Sequence, residues 1–211
     1  MTSVDVMAFG AHPDDIELGC GGSLLRWCDE GASLHLLVAC ASGYSDPQGR
    51  AVRGNETARD EGQEAARRLG AELIEGGLPV FELEFSEALN RLVLAAVERL
   101  QPDLVLTHWQ GDVHHDHVAL ARSTQHTCRH VPRLLAYRSN WYQSDRDYAA
   151  RFLVDISEFL EAKVELLQVY ESEIARTEGR WLEFVRSQAR LAGLQAGVQY
   201  AEAFELVKWL E

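Results

Sequence analysis

The chain has 211 residues, 46% hydrophobic and 25% charged, which is enough to bury a core without disulfide support. Its 33 acidic against 20 basic residues leave a formal net charge of -13. That balance disfavours nonspecific nucleic-acid binding and attachment to an anionic membrane surface, since both need clustered cations.

No stretch approaches the ~18–20 apolar residues of a membrane span. Met1-Thr2-Ser3-Val4-Asp5 carries neither the basic nor the apolar region of a secretory leader. Cys20, Cys28, Cys40 and Cys128 form no C-x-x-C pair and fall in expected core elements. Reduced, buried thiols in a cytoplasmic protein are therefore expected. Cys20 follows the first chemical cluster closely, but on a helix leading away from it, which disfavours it as a ligand.

The predicted elements alternate. The apolar run Val4–Gly10 predicts a buried strand, and Glu17–Glu30 a helix whose Gly19, Gly21 and Gly22 permit close packing near its start. Leu34–Ala41 predicts a second strand, followed by a polar loop over residues 42–54. Asn55–Leu69 has helical period and stops at Gly70, a C-cap signal. Glu72–Glu75 predicts a short strand, Ser86–Leu100 a helix and Asp103–His108 a strong strand. His117–Arg129 reads as a helix and Leu134–Arg138 as another strand. This rhythm predicts an α/β fold, with a Rossmann-like, mostly parallel sheet and helices on both faces. Residues 139–211 change character. Phe152–Ile156 predicts a strand, Ser157 caps a helix running to about Tyr170, and Arg180–Leu194 is helical before the run Tyr200–Trp209. No repeat or linker interrupts the chain, so one domain over residues 1–211 is expected, with a core over 1–138 and an α+β extension over 139–211.

Two clusters carry the chemistry. Ala11-His12-Pro13-Asp14-Asp15 follows the first strand, and His114-His115-Asp116-His117 lies beyond Leu104-Val105-Leu106-Thr107. In open α/β sheets, ligands bind beyond the carboxyl ends of strands. Zinc enzymes use three His, Asp or Glu ligands and keep a fourth position open. His12 and Asp15 can reach one ion from a single turn, and His117 is placed to supply the third ligand. Asp14 is then a spare carboxylate that could take a proton from water. His114 could act as acid or oxyanion stabiliser, and Asp116 could orient an imidazole.

Plainer readings stand beside these. A His-Pro-Asp-Asp turn can simply cap a helix, and a His-rich segment can be a solvated loop. Six of eight histidines fall between His108 and His130, and both clusters follow strands, which weakens the joint plain reading. His108, His126 and His130 do not share the spacing and read as incidental. Gly19-Cys20-Gly21-Gly22 is no dinucleotide fingerprint, because the acidic cluster intervenes after Gly10 and would repel a pyrophosphate. Trp109, Trp141 and Tyr142 could give a ligand a stacking face or be core or interface aromatics. Arg53, Arg59 and Arg138 could grip a carboxylate or phosphate or be solvated.

Together, Ala-His-Pro-Asp-Asp followed by Ile-Glu-Leu-Gly-Cys-Gly-Gly, and His-x-Asp-His at 114–117, resemble the LmbE/PIG-L family of zinc-dependent N-acetylglucosaminyl deacetylases. That family includes the deacetylases of mycothiol, bacillithiol and glycosylphosphatidylinositol biosynthesis. The likeness extends through Arg53-Gly54-Asn55 to Leu69-Gly70, Val154-Asp155-Ile156-Ser157 with Lys163, and Tyr200-Ala201-Glu202-Ala203-Phe204. It implies His12, Asp15 and His117 as ligands of zinc, or of another divalent ion such as Fe2+, and Asp14 as general base. It implies His114 as oxyanion stabiliser and acid, with Asp116 as its partner. Arg53, Arg59, Trp109 and Tyr142 are the candidate substrate contacts. A small N-acetylated sugar substrate and a homo-oligomer, trimer or hexamer, are implied likewise. Another metal-dependent amidase or esterase, or a non-catalytic sugar-binding protein on the same scaffold, are the rival functions; the spare Asp14 argues against the latter.

Overall fold

A computed structural model describes residues 4–211; Met1-Thr2-Ser3, part of the leader reading, lies outside the described residues. The core elements follow the expected alternation: β1 (Asp5–Gly10), α1 (Asp15–Asp29), β2 (Ser33–Cys40), the two-stranded hairpin β3 (Tyr44–Ser45) and β4 (Ala51–Arg53), α2 (Asn55–Leu69), β5 (Glu72–Leu78), α3 (Glu87–Leu100), β6 (Leu104–His108), α4 (His115–Thr127) and β7 (Arg133–Tyr137). The remainder comprises β8 (Ala150–Asp155), α5 (Leu160–Leu167), α6 (Glu171–Arg176), α7 (Arg180–Ala196) and β9 (Ala201–Trp209). Among the described residues no helix is long and apolar enough to cross a membrane.

Seven strands form one sheet in the order β5-β2-β1-β6-β7-β9-β8. The first five are parallel, and β9 is antiparallel to both β7 and β8. Ala8 of β1 pairs with Leu36 on one side and Leu106 on the other. Alternate β1 side chains feed opposite layers, as strand geometry requires. Val6 and Ala8 join the apolar layer packed by α1, α2, α5 and α7, whereas Met7 and Phe9 join that of α3 and α4. Because the chain leaves β1 for β2 on one side and reaches β6 on the other, the strand order reverses at β1. The carboxyl ends of β1 and β6 therefore flank a crevice, the usual ligand position in such sheets.

Two packings hold α1 over the sheet. A Cβ added at Gly19 would lie 2.1 Å from Cδ2 of Tyr137, whose hydroxyl donates to Phe9 O at 2.7 Å. Gly22 is similarly pressed by Ile156, while Gly21 has ordinary room. Beneath them, the buried Glu202 carboxylate accepts from Gly22 N, Ser23 N and Ser23 Oγ at 2.9, 2.7 and 2.6 Å, and pairs with Lys163 Nζ at 2.6 Å. Lys163 also donates to Leu18 O at 2.7 Å. The strand β9 is thus clasped to α1 and α5 by one hydrogen-bonded ion pair.

Several boundaries differ from expectation. Helix α1 starts at Asp15, two residues before Glu17, and α4 starts at His115, ahead of His117. The strand at Glu72 runs on to Leu78, and β8 spans Ala150–Asp155. The loop over residues 42–54 holds a hairpin. The helix expected to run to Tyr170 ends at Leu167, and a separate short α6 follows. Tyr170 is buried there with the Arg53 guanidinium over its ring at 5.9 Å, so tertiary packing ends the helix. Ser157 does not cap it; its hydroxyl donates to Asp155 and accepts from Tyr200 N. The four cysteines are free, Cys28 being only partly buried.

Candidate metal centre and active site

Gly10 closes β1 because a larger residue would meet Ile16, 2.9 Å from its would-be Cβ. The chain then turns sharply: Asp15 Oδ2 accepts from His12 N at 2.9 Å, and Asp14 sits at φ 111°, a region non-glycine residues rarely adopt. Such a residue costs of order 1–3 kcal/mol and persists only where its surroundings over-determine it. At the end of β6, Asp112 accepts from His114 N at 2.8 Å, and His114 caps α4 with its own ring. The two turns bring both clusters together.

His12 Nδ1 and His117 Nε2 lie 3.3 Å apart, and each is 3.2 Å from an oxygen of Asp15. A tetrahedral ion bound at about 2.0–2.1 Å requires ligand atoms separated by roughly 3.3 Å, which is the spacing of the two ring nitrogens and of each from a different Asp15 oxygen, Oδ2 for His12 and Oδ1 for His117. The outer ring nitrogens each face a carboxylate. His12 Nε2 faces Asp116 Oδ2 at 3.0 Å, and His117 Nδ1 faces Asp112 Oδ2 at 3.1 Å. With a cation at the shared centre, each carboxylate would take the proton-bearing side of its ring and leave the inner nitrogen free to bind, the arrangement carboxylates impose on metal-binding histidines.

The electrostatics agree. Burial opposes charge on both rings, yet the carboxylates outweigh it: Asp116 and Asp15 hold His12 up at about 9, and Asp15 and Asp112 hold His117 up at about 10. This is a pocket with surplus negative charge around two imidazoles, suited to a cation. Burial favours the neutral form of Asp15, but His117 and His108 hold it ionised. Asp14 differs from its neighbour. Burial and then the Asp15 charge push its carboxyl well above the ordinary range, against the pull of Arg53, whose Nη1 donates to Asp14 Oδ2 at 3.1 Å. His114 Nδ1 accepts from Asp116 N at 3.3 Å, which places its proton on Nε2. Burial, with His117 and His12 nearby, brings its pKa down to about 4, so it is a neutral donor.

The structure also corrects several assignments. The Asp116 carboxylate is the partner of His12 and additionally accepts from Phe81 N and Leu83 N at 2.8 and 3.0 Å, while only the Asp116 backbone N–H meets the His114 ring. His108 is not incidental: it is fully buried, stacks on His117 at 4.0 Å, and its Nε2 lies 3.1 Å from Ala11 N and 3.3 Å from Asp15 Oδ2. Among the described residues, Asp15, His108 and His117 form one ligand-capable trio, and His12, His114 and His117 form another. A strand's last residue on this sheet edge was the signal that its spacing hid. Asp112, Ser139 and Asn140 were also missed. Ser139 Oγ donates to Asp15 Oδ1 at 2.9 Å, and Asn140 Nδ2 spans both oxygens of Asp112. Cys20 is turned away, its thiol on Ile16 O.

A cavity of about 350 Å3 opens above the cluster, lined by Asp14, His114, Arg53 and Tyr142 among others. Arg59 is outside it, exposed and paired with Glu75 at 3.1 Å. Trp109 and Arg138 line a neighbouring cavity of about 390 Å3 instead. Trp109 is buried with its ring against Tyr148. Neither Arg59 nor Trp109 is placed to touch a molecule at the metal centre.

Comparison with known proteins fits this geometry. The PIG-L family, described as GlcNAc-PI de-N-acetylase, matches residues 7–128, a span holding both clusters. YaiS of Escherichia coli (strain K12), named an uncharacterized deacetylase, is 30% identical over 151 residues, covering 64% of this chain and 75% of that protein. The conserved protein TT1542 from Thermus thermophilus superposes with a TM-score of 0.80 at 29% identity, covering 99% of this chain and 96% of that one. The N,N'-diacetylchitobiose deacetylase from Pyrococcus horikoshii gives a TM-score of 0.82 at 20% identity, covering 96% and 83%. From its two clusters, its sheet and these matches, the chain belongs to the PIG-L family.

Proposed function

We propose that the protein is a metal-dependent hydrolase that removes an N-acetyl group from an amino sugar. The observation that carries this reading is the triangle of His12, Asp15 and His117 with Asp14 left unspent beside it. A purely structural zinc site closes with four ligands and needs no such carboxylate. The family match and the deacetylase names of its relatives support the acetylated amino sugar as substrate.

His12, Asp15 and His117 would hold a zinc ion, or another divalent ion such as Fe2+, which would supply Lewis-acid polarisation of the acetamide carbonyl and lower the pKa of water toward neutrality. The protein's own groups do the rest. Asp14, whose carboxyl is raised toward neutrality, takes the proton of the attacking water at its carboxylate. His114 donates Nε2–H to the oxygen on which negative charge develops. Because His114 is held neutral, it is a poor source of a proton for the departing amine. Asp14, now protonated, is the better donor and returns the same proton to the nitrogen as the C–N bond breaks. Arg53 holds Asp14 in place through the bond at 3.1 Å.

Acetate release from N-acetylglucosamine derivatives, measured beside metal content, tests this. Asp14→Asn is expected to lose about 10²–10⁴ of the rate while elemental analysis finds the ion still bound. Near wild-type turnover by that variant would remove Asp14 from the mechanism. Absence of acetate release from every amino-sugar derivative by metal-loaded protein would remove the function.

A further inference from the structure

Beyond the rings of His12 and His117, two basic side chains line the cavity above the candidate metal centre, and both are already engaged. The Arg53 guanidinium, 1% exposed, is 3.1 Å from Asp14, 2.7 Å from Glu61 and 3.9 Å from Glu173. Arg176 directs Nε and Nη2 onto one oxygen of Glu173 at 2.6 and 2.5 Å. No other lysine or arginine lines the cavity among the described residues, whereas Asp14, Asp15 and Glu173 all do. Away from the ion itself, an anionic group here would meet carboxylates and two arginines that already pair with them, one buried (Arg53) and one 40% exposed (Arg176), and like-charge contact at a desolvated site is unfavourable.

The mouth has the opposite character. Phe81, Val113 and Tyr142 line the same cavity and stay 52%, 52% and 54% exposed. They come from three separate segments: the loop before α3, the turn before α4 and the stretch after β7. At about 350 Å3 the cavity is near the lower end of the ~300–1,000 Å3 typical of ligand sites. On the amino-sugar reading, a group attached to a sugar held above His12 and His117 would lie against this apolar rim.

We propose that the aglycone of the substrate is uncharged and apolar, seated on Phe81, Val113 and Tyr142, and that phosphorylated or carboxylated conjugates are rejected. This rests on the amino-sugar reading of the cavity but concerns the group attached to the sugar. It replaces the idea that an arginine grips an anionic aglycone, since Arg53 is neutralised and Arg59 and Arg138 face elsewhere.

The test uses deacetylated ligands, which cannot turn over, titrated calorimetrically into the wild-type protein: phenyl glucosaminide, free glucosamine and glucosamine 1-phosphate. Phenyl glucosaminide is expected to bind at least about tenfold tighter than the phosphate. Phe81→Ala and Tyr142→Ala should each narrow that gap by roughly three- to tenfold, and Arg176→Gln should leave the order unchanged. Equal or tighter binding of the phosphate, no selectivity among the three, or a gap untouched by both rim variants overturns the proposal. If the selectivity is as stated but the acetylated counterparts release no acetate, the deacetylase reading fails and the apolar rim stands.

Discussion

At the residue scale, the site works through fixed tautomers. With Asp116 and Asp112 on their outer nitrogens, His12 and His117 would turn inner lone pairs to a bound cation. Replacing Asp116 by Asn keeps shape and some hydrogen bonding but removes the charge that orients His12. Asp116→Asn is expected to weaken metal affinity by about 10–100-fold, read by competition with a chelator, with folding retained in circular dichroism. Unchanged affinity would mean that the turn alone orients His12. The convergence of His12, Asp15 and His117 was legible in the sequence because strand ends on one sheet edge meet. The part played by His108 was not, since it depends on ring stacking and a backbone contact with Ala11. Arg53 and Arg59 look equivalent in sequence. They part because one ends a hairpin strand under Tyr170, while the other lies on the exposed face of α2.

At the element scale, α1 must lie close to the sheet for Asp14 and Asp15 to project into the crevice. Gly19 sets that distance. Gly19→Ala would gain up to about 1 kcal/mol of helix propensity, but its Cβ would stand 2.1 Å from the Tyr137 ring. Overpacking of this kind costs about 1–3 kcal/mol, so net destabilisation is expected. It should appear as a lower denaturant midpoint at unchanged slope, and an equal or higher midpoint would show that Tyr137 moves aside freely. Helices with clear period, such as α2 ending at Gly70 in a left-handed conformation, were legible to the residue. The strands β3 and β4 were not, because two and three residues are too few for alternation to register. The break after Leu167 was also hidden, since Gln168-Val169-Tyr170 could continue a helix and only the burial of Tyr170 stops it.

At the scale of the whole molecule, strand–helix alternation disclosed the parallel half of the sheet. The direction of β8 and β9 was hidden, because residue type does not record which way a partner strand runs. Those strands are secured by Glu202, which reaches Gly22 across 180 positions of sequence. Removing one partner of a buried pair leaves an uncompensated charge and typically costs about 3–5 kcal/mol, whereas replacing both with apolar groups costs far less. Lys163→Met is therefore expected to destabilise strongly, and adding Glu202→Leu to recover part of the loss. A thermal double-mutant cycle measures this; strictly additive losses would show that the two residues act independently.

The turn at Asp14 sets stability against activity. Its backbone lies at φ 111°, where glycine rests without strain, and its buried carboxyl is held away from water. Asp14→Gly would relieve both costs, and Arg53 would keep Glu61 and Glu173 as partners. The variant is expected to melt higher than the parent and to hydrolyse nothing. A laboratory selection for heat resistance alone would drift toward glycine here, so the aspartate persists only while its chemistry is being selected.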